Sequence, residues 1–350
     1  MERNVVGGMG SILPVARLVI TTIATVALLA TEPQQALAQQ KIPATGEAAK
    51  KKYSLKVDFP QNVASSYALT EKTTVQRDYR DNQKKNYQRE VSYYFTMGKI
   101  GETEDGLTRV LCNLDSLNYS FTQGETTLNY NSQNSRASNV KGDFADLVYA
   151  QSILNHQFVL LMDKKNMVVG VTGKGEPNDI EWLRNYILVE VADIMDTAQK
   201  FLWLDGISDN RVTTLTDLNR GLIRERMTVA EDSSWSRPAI LRLDGIEFSD
   251  TLTAKVTGLS RGVVSIECTS SGLKANTARE QRFFGIPAPA TIESTVSGSG
   301  KTKLKVNQQG SIRGYEADYS AVIKGRHKNE NFVQSITTSV RCSILNQFGW

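Results

Sequence analysis

The chain has 350 residues, 40% of them hydrophobic, and its 41 lysines and arginines against 37 aspartates and glutamates leave a formal charge of +4. That is enough apolar material for one large core or two modest ones, and the positive excess is too small and too scattered to mark a nucleic-acid binder. Two histidines and three cysteines leave little material for metal or imidazole chemistry.

Residues 1–38 read as a secretory leader. Arg3 and Arg17 precede the apolar run Leu18–Ala30 (LVITTIATVALLA), and Ala36-Leu37-Ala38 stands before Gln39. This is the basic, apolar and small-residue order of a cleavable signal peptide, and the run is too short to span a bilayer comfortably. Cleavage after Ala38 is expected, giving a chain that is periplasmic or extracellular and no longer membrane-spanning. Residues 39–52 (QQKIPATGEAAKKK) have few apolar positions and no period, which suits a flexible linker.

From residue 53 onward, period-two alternation dominates. Val91, Tyr93, Phe95 and Met97 mark a strand, and Glu104-Asp105-Gly106 follows as a turn. Two helices interrupt the strands. The first is expected near 143–155, with Asp143 as its cap. The second is expected over 178–203, capped by Asn178 with Glu181 as the capping-box partner and an apolar stripe at gaps of three and four. Between them, Gln157–Met162 and Met167–Thr172 form a compact hairpin.

A long antiparallel hairpin closes the chain, with Tyr315–Ile323 and Phe332–Ile344 as its arms and His327–Asn331 as its turn. Gly106 to Cys112 and Gly262 to Cys268 share one spacing, and the same 156-residue offset pairs Lys99 with Lys255. The expectation is an α+β, mainly β fold made of two related antiparallel halves, 53–205 and 206–350, whose curved sheets pack on one short and one long helix.

Motifs that would carry chemistry fail on inspection. VSGSGKTKLKV (296–306) contains GSGKT, yet the first glycine of a phosphate-binding loop would fall at Thr295, and Lys301, Lys303 and Lys305 alternate as on a strand rather than a helix. Ser271-Gly-Leu-Lys274 and Ser208-Asp209-Asn210 mimic parts of a penicillin-recognising site in the wrong order. His156 and His327 stand apart, without a metal-ligand spacing. No nucleotide, metal or other cofactor is expected, and no catalytic residue is assigned.

Aromatic side chains on the strand faces and beside the long helix, Tyr93, Phe95, Trp182, Trp203, Tyr315 and Tyr319, are the candidate ligand-binding residues, with core packing as the alternative. In an oxidising compartment Cys112, Cys268 and Cys342 are candidates for one disulfide, with three buried thiols as the alternative.

In its order of elements the chain resembles an uncharacterised family of exported bacterial β-rich proteins with two similar halves. The resemblance rests on the leader, the opening Tyr53-Ser-Leu55, long hairpins, a hairpin ending near 169–173, a long helix, the lone Trp235 and a second β-rich half. More distantly, strands wrapped about helices are similar in architecture to periplasmic half-barrel lipid carriers. The reading is an exported, non-catalytic envelope protein that holds an apolar ligand or a protein partner on concave sheet faces. A structural component of an envelope assembly is the alternative, and a hydrolase with an unrecognised site comes third.

Overall fold

A computed structural model of the chain describes residues 52–80, 83–134, 147, 151–175, 179–190, 204, 207–219, 222–270, 272–278, 280–281 and 290–349. The expected leader and all of the expected linker but Lys52 lie outside these residues, as do most of the expected 143–155 helix, residues 191–203 of the long helix, and Trp203 with them.

The chain is mainly β. A short strand β1 (Tyr53–Leu55) is followed by three long ones, β2 (Val63–Tyr79), β3 (Lys84–Glu102) and β4 (Thr108–Gln123), and then by β5 (Thr126–Asn131). The hairpin β6 (Gln157–Met162) and β7 (Val168–Thr172) comes next. Helix α1 (Ile180–Asn185) runs into a π-helical turn, Tyr186–Glu190, and α2 (Asp209–Thr216) follows. The second set of strands is β8 (Met227–Val229), β9 (Ser234–Leu243), β10 (Ile246–Ser260), β11 (Val263–Ser270), β12 (Lys274–Ala275), β13 (Thr291–Asn307), β14 (Ile312–His327) and β15 (Glu330–Gly349).

Among the described residues, β1 and β8 stand apart as an antiparallel pair and the other strands share one antiparallel sheet, with the path β12-β10-β11-β13-β14-β15-β2-β3-β4-β6-β7 and β5 and β9 paired to β4 and β10. The expected hairpins are therefore present; β6 and β7 fall close to their expected bounds, whereas β14 and β15 run longer than the alternation alone indicated. The sheet also runs without a break through both expected halves, because β15 pairs with β2 along its whole length. The segments around Cys112 and Cys268 both lie in hairpins, but in different register: Lys99 faces Val110, whereas Lys255 faces Glu267.

The sheet curls back on itself. Along its path β10 and β3 are six strand spacings apart, roughly 29 Å if laid flat. Yet the Tyr87 hydroxyl on β3 donates to both carboxylate oxygens of Asp244, in the β9–β10 turn, at 2.6 and 2.5 Å. Gln334 on β15 donates to the same carboxylate at 3.0 Å and accepts from Nε of Arg77 on β2 at 2.6 Å. This buried cluster clasps the turn to three strands, and Asp244 is 1% exposed. A buried carboxylate is tolerated there because several donors satisfy it.

The alternation assigns each face. On the inner face Ala254, Ile266, Leu304, Tyr315, Ala317 and Val340 join a single apolar core. On the outer face Lys255, Glu267, Lys303, Glu316 and Arg341 are exposed and stand directly opposite one another in turn, a row of alternating charge across five strands. A barrel crossing a bilayer presents an apolar band outward; this face presents charged side chains to water.

GSGKT lies within β13 as a strand, and packing explains its glycines. The ring of Tyr319, directly opposite Gly300, lies over it, and a Cβ at Gly300 would sit 2.7 Å from Tyr319 Cε1. A Cβ at Gly298 would sit 2.6 Å from that of Leu273.

Helix readings need correction. The cap of α1 is Asp179, which accepts from the amides of Glu181 and Trp182; Asn178 lies outside the described residues. Asp179 carries a carboxylate that accepts from the open N–H groups at the helix start and is favoured by the helix dipole. Helix α2 falls where a boundary between halves was expected, and Ser208-Asp209-Asn210 begins it.

Candidate functional site

The predicted aromatic residues do not converge. Phe95, Tyr315 and Tyr319 are buried in the core and Tyr93 packs partly buried against it. The Tyr319 hydroxyl bonds to Thr302 at 2.9 Å and to the Tyr315 hydroxyl at 3.1 Å. Trp182 is exposed on α1, stacked on the exposed Tyr186 with ring centroids 5.0 Å apart. The three cysteines are free thiols, all buried. Cys112, Cys268 and Cys342 stand on β4, β11 and β15, with three strand spacings between β11 and β15 and three between β15 and β4. Each interval is roughly 14 Å along the sheet, about twice the reach of a disulfide.

A different set of residues forms a cleft, at the end of the sheet away from the Asp244 clasp. Its floor and walls come from Tyr67 on β2, Met97 on β3, Leu160 and Met162 on β6, Val168 on β7 and Ile312 on β14. Three further segments complete its lining: 57–60, which leads into β2; Thr216–Asn219, at the end of α2 and just beyond it; and Gly310–Ser311 in the β13–β14 turn. The empty space measures about 610 Å³ when counted out to the open mouth, bulk solvent included.

Local chemistry holds each part in place. Gly310 has φ +95, and the Asp58 amide donates to its carbonyl at 3.0 Å. A Cβ there would lie 2.6 Å from the Asp58 nitrogen, so only glycine lets the 57–60 segment close over the turn. Asn219 braces the loop after α2 by donating to the Ile223 carbonyl at 2.8 Å and accepting from the Ile223 amide at 3.0 Å. Tyr67 stacks on Phe95 with centroids 5.5 Å apart. So one predicted residue, Phe95, supports the cleft from behind.

The polar atoms of the cleft are few. Burial pushes the Tyr67 phenol up to about 12, only partly opposed by its hydrogen bond with Ser65, so it stays neutral. Ser65 Oγ accepts from Gln347 at 3.1 Å. Ser311 is 5% exposed, and its hydroxyl oxygen, shielded from solvent, has no hydrogen-bond partner; buried hydroxyls ordinarily find one. Asp58 and Asp217 are the charged residues of the lining, and Asp58 is ion-paired with Lys56. No group of three His, Cys, Asp or Glu able to hold a metal occurs among the described residues.

Such a site can enclose an apolar body and offer it a few polar contacts. Sequence reasoning missed it because its residues come from separate parts of the chain. The one local signal was QFVLLM, whose unbroken apolar run departs from the alternation elsewhere.

No protein-family model matches the chain, and no curated protein does. Among solved structures, one described for lipid–protein interactions in lipovitellin is 7% identical with a TM-score of 0.44, covering 83% of this chain and 26% of that one. The chain thus spans about a quarter of lipovitellin's length. OccK5 of Pseudomonas aeruginosa is 8% identical with a TM-score of 0.25, covering 81% of this chain and 98% of its own. The translocator domain of the autotransporter NalP from Neisseria meningitidis is 5% identical with a TM-score of 0.17, covering 79% and 88%.

Proposed function

We propose that this protein is a binding module that holds an apolar small molecule in the cleft between β2, β3, β6, β7 and the β13–β14 turn. The carrying observation is the cleft itself: Met97, Leu160, Met162, Val168 and Ile312 offer apolar surface beside the buried, unpartnered hydroxyl of Ser311. Removing such a surface from water is favourable at about 25 cal/mol per Å², so a ligand that fills the space is the natural completion of the site. The outer face, with its row of alternating charges, suits a protein surrounded by water. Export and cleavage after Ala38 are part of the proposal and rest on the leader pattern. Binding without chemical conversion is part of it too, and rests on the failed catalytic motifs.

Native mass spectrometry of residues 39–350, purified without detergent and paired with solvent extraction, tests the reading. A stoichiometric extra mass that extracts into solvent, and that is lost when Val168→Trp fills the cleft, is the expected result. A bare chain that stays bare after incubation with envelope lipids refutes it.

A further inference from the structure

The outer face of the sheet changes chemistry part-way across. The row of alternating charge that runs from Lys255 to Arg341 continues in register through Thr70 on β2, Ser92 on β3, Asn118 on β4 and Asn131 on β5. Hydroxyls and amides thus replace ions at positions that face the same way. Asparagine is disfavoured within strands, yet Asn118 and Asn129 stand exposed on neighbouring strands and Asn131 ends β5. Breaks of local preference of this kind are expected where they serve a function.

These side chains border two adjoining hollows that share Asn118 and Asn131. One is lined also by Ser92, Ser120 and Asn129, and by Glu90, which is ion-paired with Lys72 at 3.6 Å. The other is lined by Tyr94, Ser116 and Gln133. In its cross-strand row the half-buried Tyr94 stands between Ala68 and Ser116, and Ser92 and Thr96 flank it along β3, so its ring rises among small neighbours. The register of β3 and β4 shifts beside Tyr94, skipping Asp115, and bulges of this kind re-aim side chains next to binding sites. The Ser132 hydroxyl accepts the Leu117 amide at 2.9 Å, the Ser132 amide donates to the Leu117 carbonyl at 2.9 Å, and Asn131 Oδ1 accepts the Gln133 amide at 2.8 Å. The segment that carries Asn131 and Gln133 is therefore tied to β4 before any ligand arrives, which lowers the ordering cost of binding.

A side-chain amide offers two donors and an acceptor in one plane, and a sugar hydroxyl both donates and accepts. An aromatic ring among small neighbours gives the C–H face of a pyranose an apolar platform.

We infer that the trough over β3, β4 and β5 binds a neutral oligosaccharide, stacked on Tyr94 and hydrogen-bonded by Asn118, Asn131 and Gln133. It lies on the opposite face of the sheet from the apolar cleft, so the two sites stand or fall separately.

The test is isothermal titration calorimetry of residues 39–350 with maltohexaose, cellohexaose, mannohexaose and chitohexaose, and with hexagalacturonate as the anionic counterpart. At least one neutral hexasaccharide is expected to bind more tightly than hexagalacturonate. Tyr94→Ala and Asn118→Ala should each weaken that binding about tenfold, as loss of one stacked ring or one hydrogen bond would give. Tyr94→Phe, which keeps the ring, should stay within about threefold, and Val168→Trp in the cleft should change nothing. Urea midpoints of the variants show that they are folded; if that of Tyr94→Ala shifts, Asn118→Ala carries the comparison. No binding of any neutral hexasaccharide at about 1 mM, equal binding of hexagalacturonate, or an affinity that survives the substitutions would each overturn the inference and leave the cleft reading untouched.

Discussion

Replacing Gly300 by alanine should destabilise the protein, although in most strands that change is favourable. Glycine inside a strand costs about 0.5–1 kcal/mol relative to alanine through backbone entropy. Here the new Cβ would lie 2.7 Å from Tyr319 Cε1 and nearer still to Cδ1. The ring cannot swing aside freely, because its hydroxyl is bonded to Thr302 at 2.9 Å and to Tyr315 at 3.1 Å. Overpacking of this kind costs about 1–3 kcal/mol, and a broken buried hydrogen bond adds about 1 kcal/mol. After the entropy gain is deducted, Gly300→Ala should be less stable by about 1–3.5 kcal/mol. In a Tyr319→Leu background the same change should be neutral or stabilising, a coupling of about 2–4 kcal/mol. Urea denaturation of the four proteins, followed by far-ultraviolet circular dichroism, reads both values as midpoint shifts at constant slope. The reasoning is refuted if Gly300→Ala matches or exceeds the wild-type midpoint, or if the two substitutions are additive.

Three other outcomes follow from the same structure. Asp244→Ala should cost about 3–5 kcal/mol by urea denaturation, since it strips the shared acceptor from buried Tyr87 and Gln334 beside Arg77; a loss under 1 kcal/mol would mean that the clasp does not hold the curl. Burial, with a smaller push from Glu267, raises the Cys268 thiol to about 12, and burial chiefly raises that of Cys112 as well. Their thiolate fraction at pH 8 is therefore very small, so Ellman's reagent should leave both unmodified in the native protein and should titrate all three thiols once it is unfolded; fewer than three would indicate a disulfide. Lys303→Glu sets three carboxylates in line with Glu267 and Glu316. It should cost roughly 1 kcal/mol at low salt and less at high salt, and a salt-independent effect would point to packing instead.

Legibility in the sequence followed the length scale of the cause. Alternation is a local signal, so the β6–β7 hairpin, the β14–β15 hairpin and the strand character of Lys301–Val306 could all be read directly. What joins the ends of the chain could not be: nothing in Thr73 announces that its hydroxyl meets Thr338 at 3.1 Å. Site residues failed for a related reason. Tyr315, Tyr319 and Phe95 were singled out as large aromatics on strand faces, yet alternation does not distinguish a face turned to the core from one turned to a cleft. Residues that do frame the cleft, such as Asp58, Gly310 and Asp217, lie in connecting segments without periodicity, and only the folded chain brings them together. The cap of α1 was misplaced by one position because Asn178 and Asp179 are both good capping residues. Helix α2 was missed because its eight residues, DNRVTTLT, include threonine, asparagine and aspartate, which are poor helix formers.

The pairing of β15 with β2 also bears on how the molecule is made. Thr73 and Thr338 are 265 positions apart, so the contact that joins the two flanks of the sheet is among the most distant in the sequence. Folding rates fall as such contacts come to dominate, because loop-closure entropy is lost before the pairing rewards it. During synthesis the hairpin of β2 and β3 must exist with one long edge bare until the last strand arrives. That edge carries Val75, Leu69 and Tyr67 on its core face, a surface to which another chain could add. A folding helper that masks β2, or a delay that keeps it unpaired until β15 is complete, would therefore govern yield more than any gain in native stability.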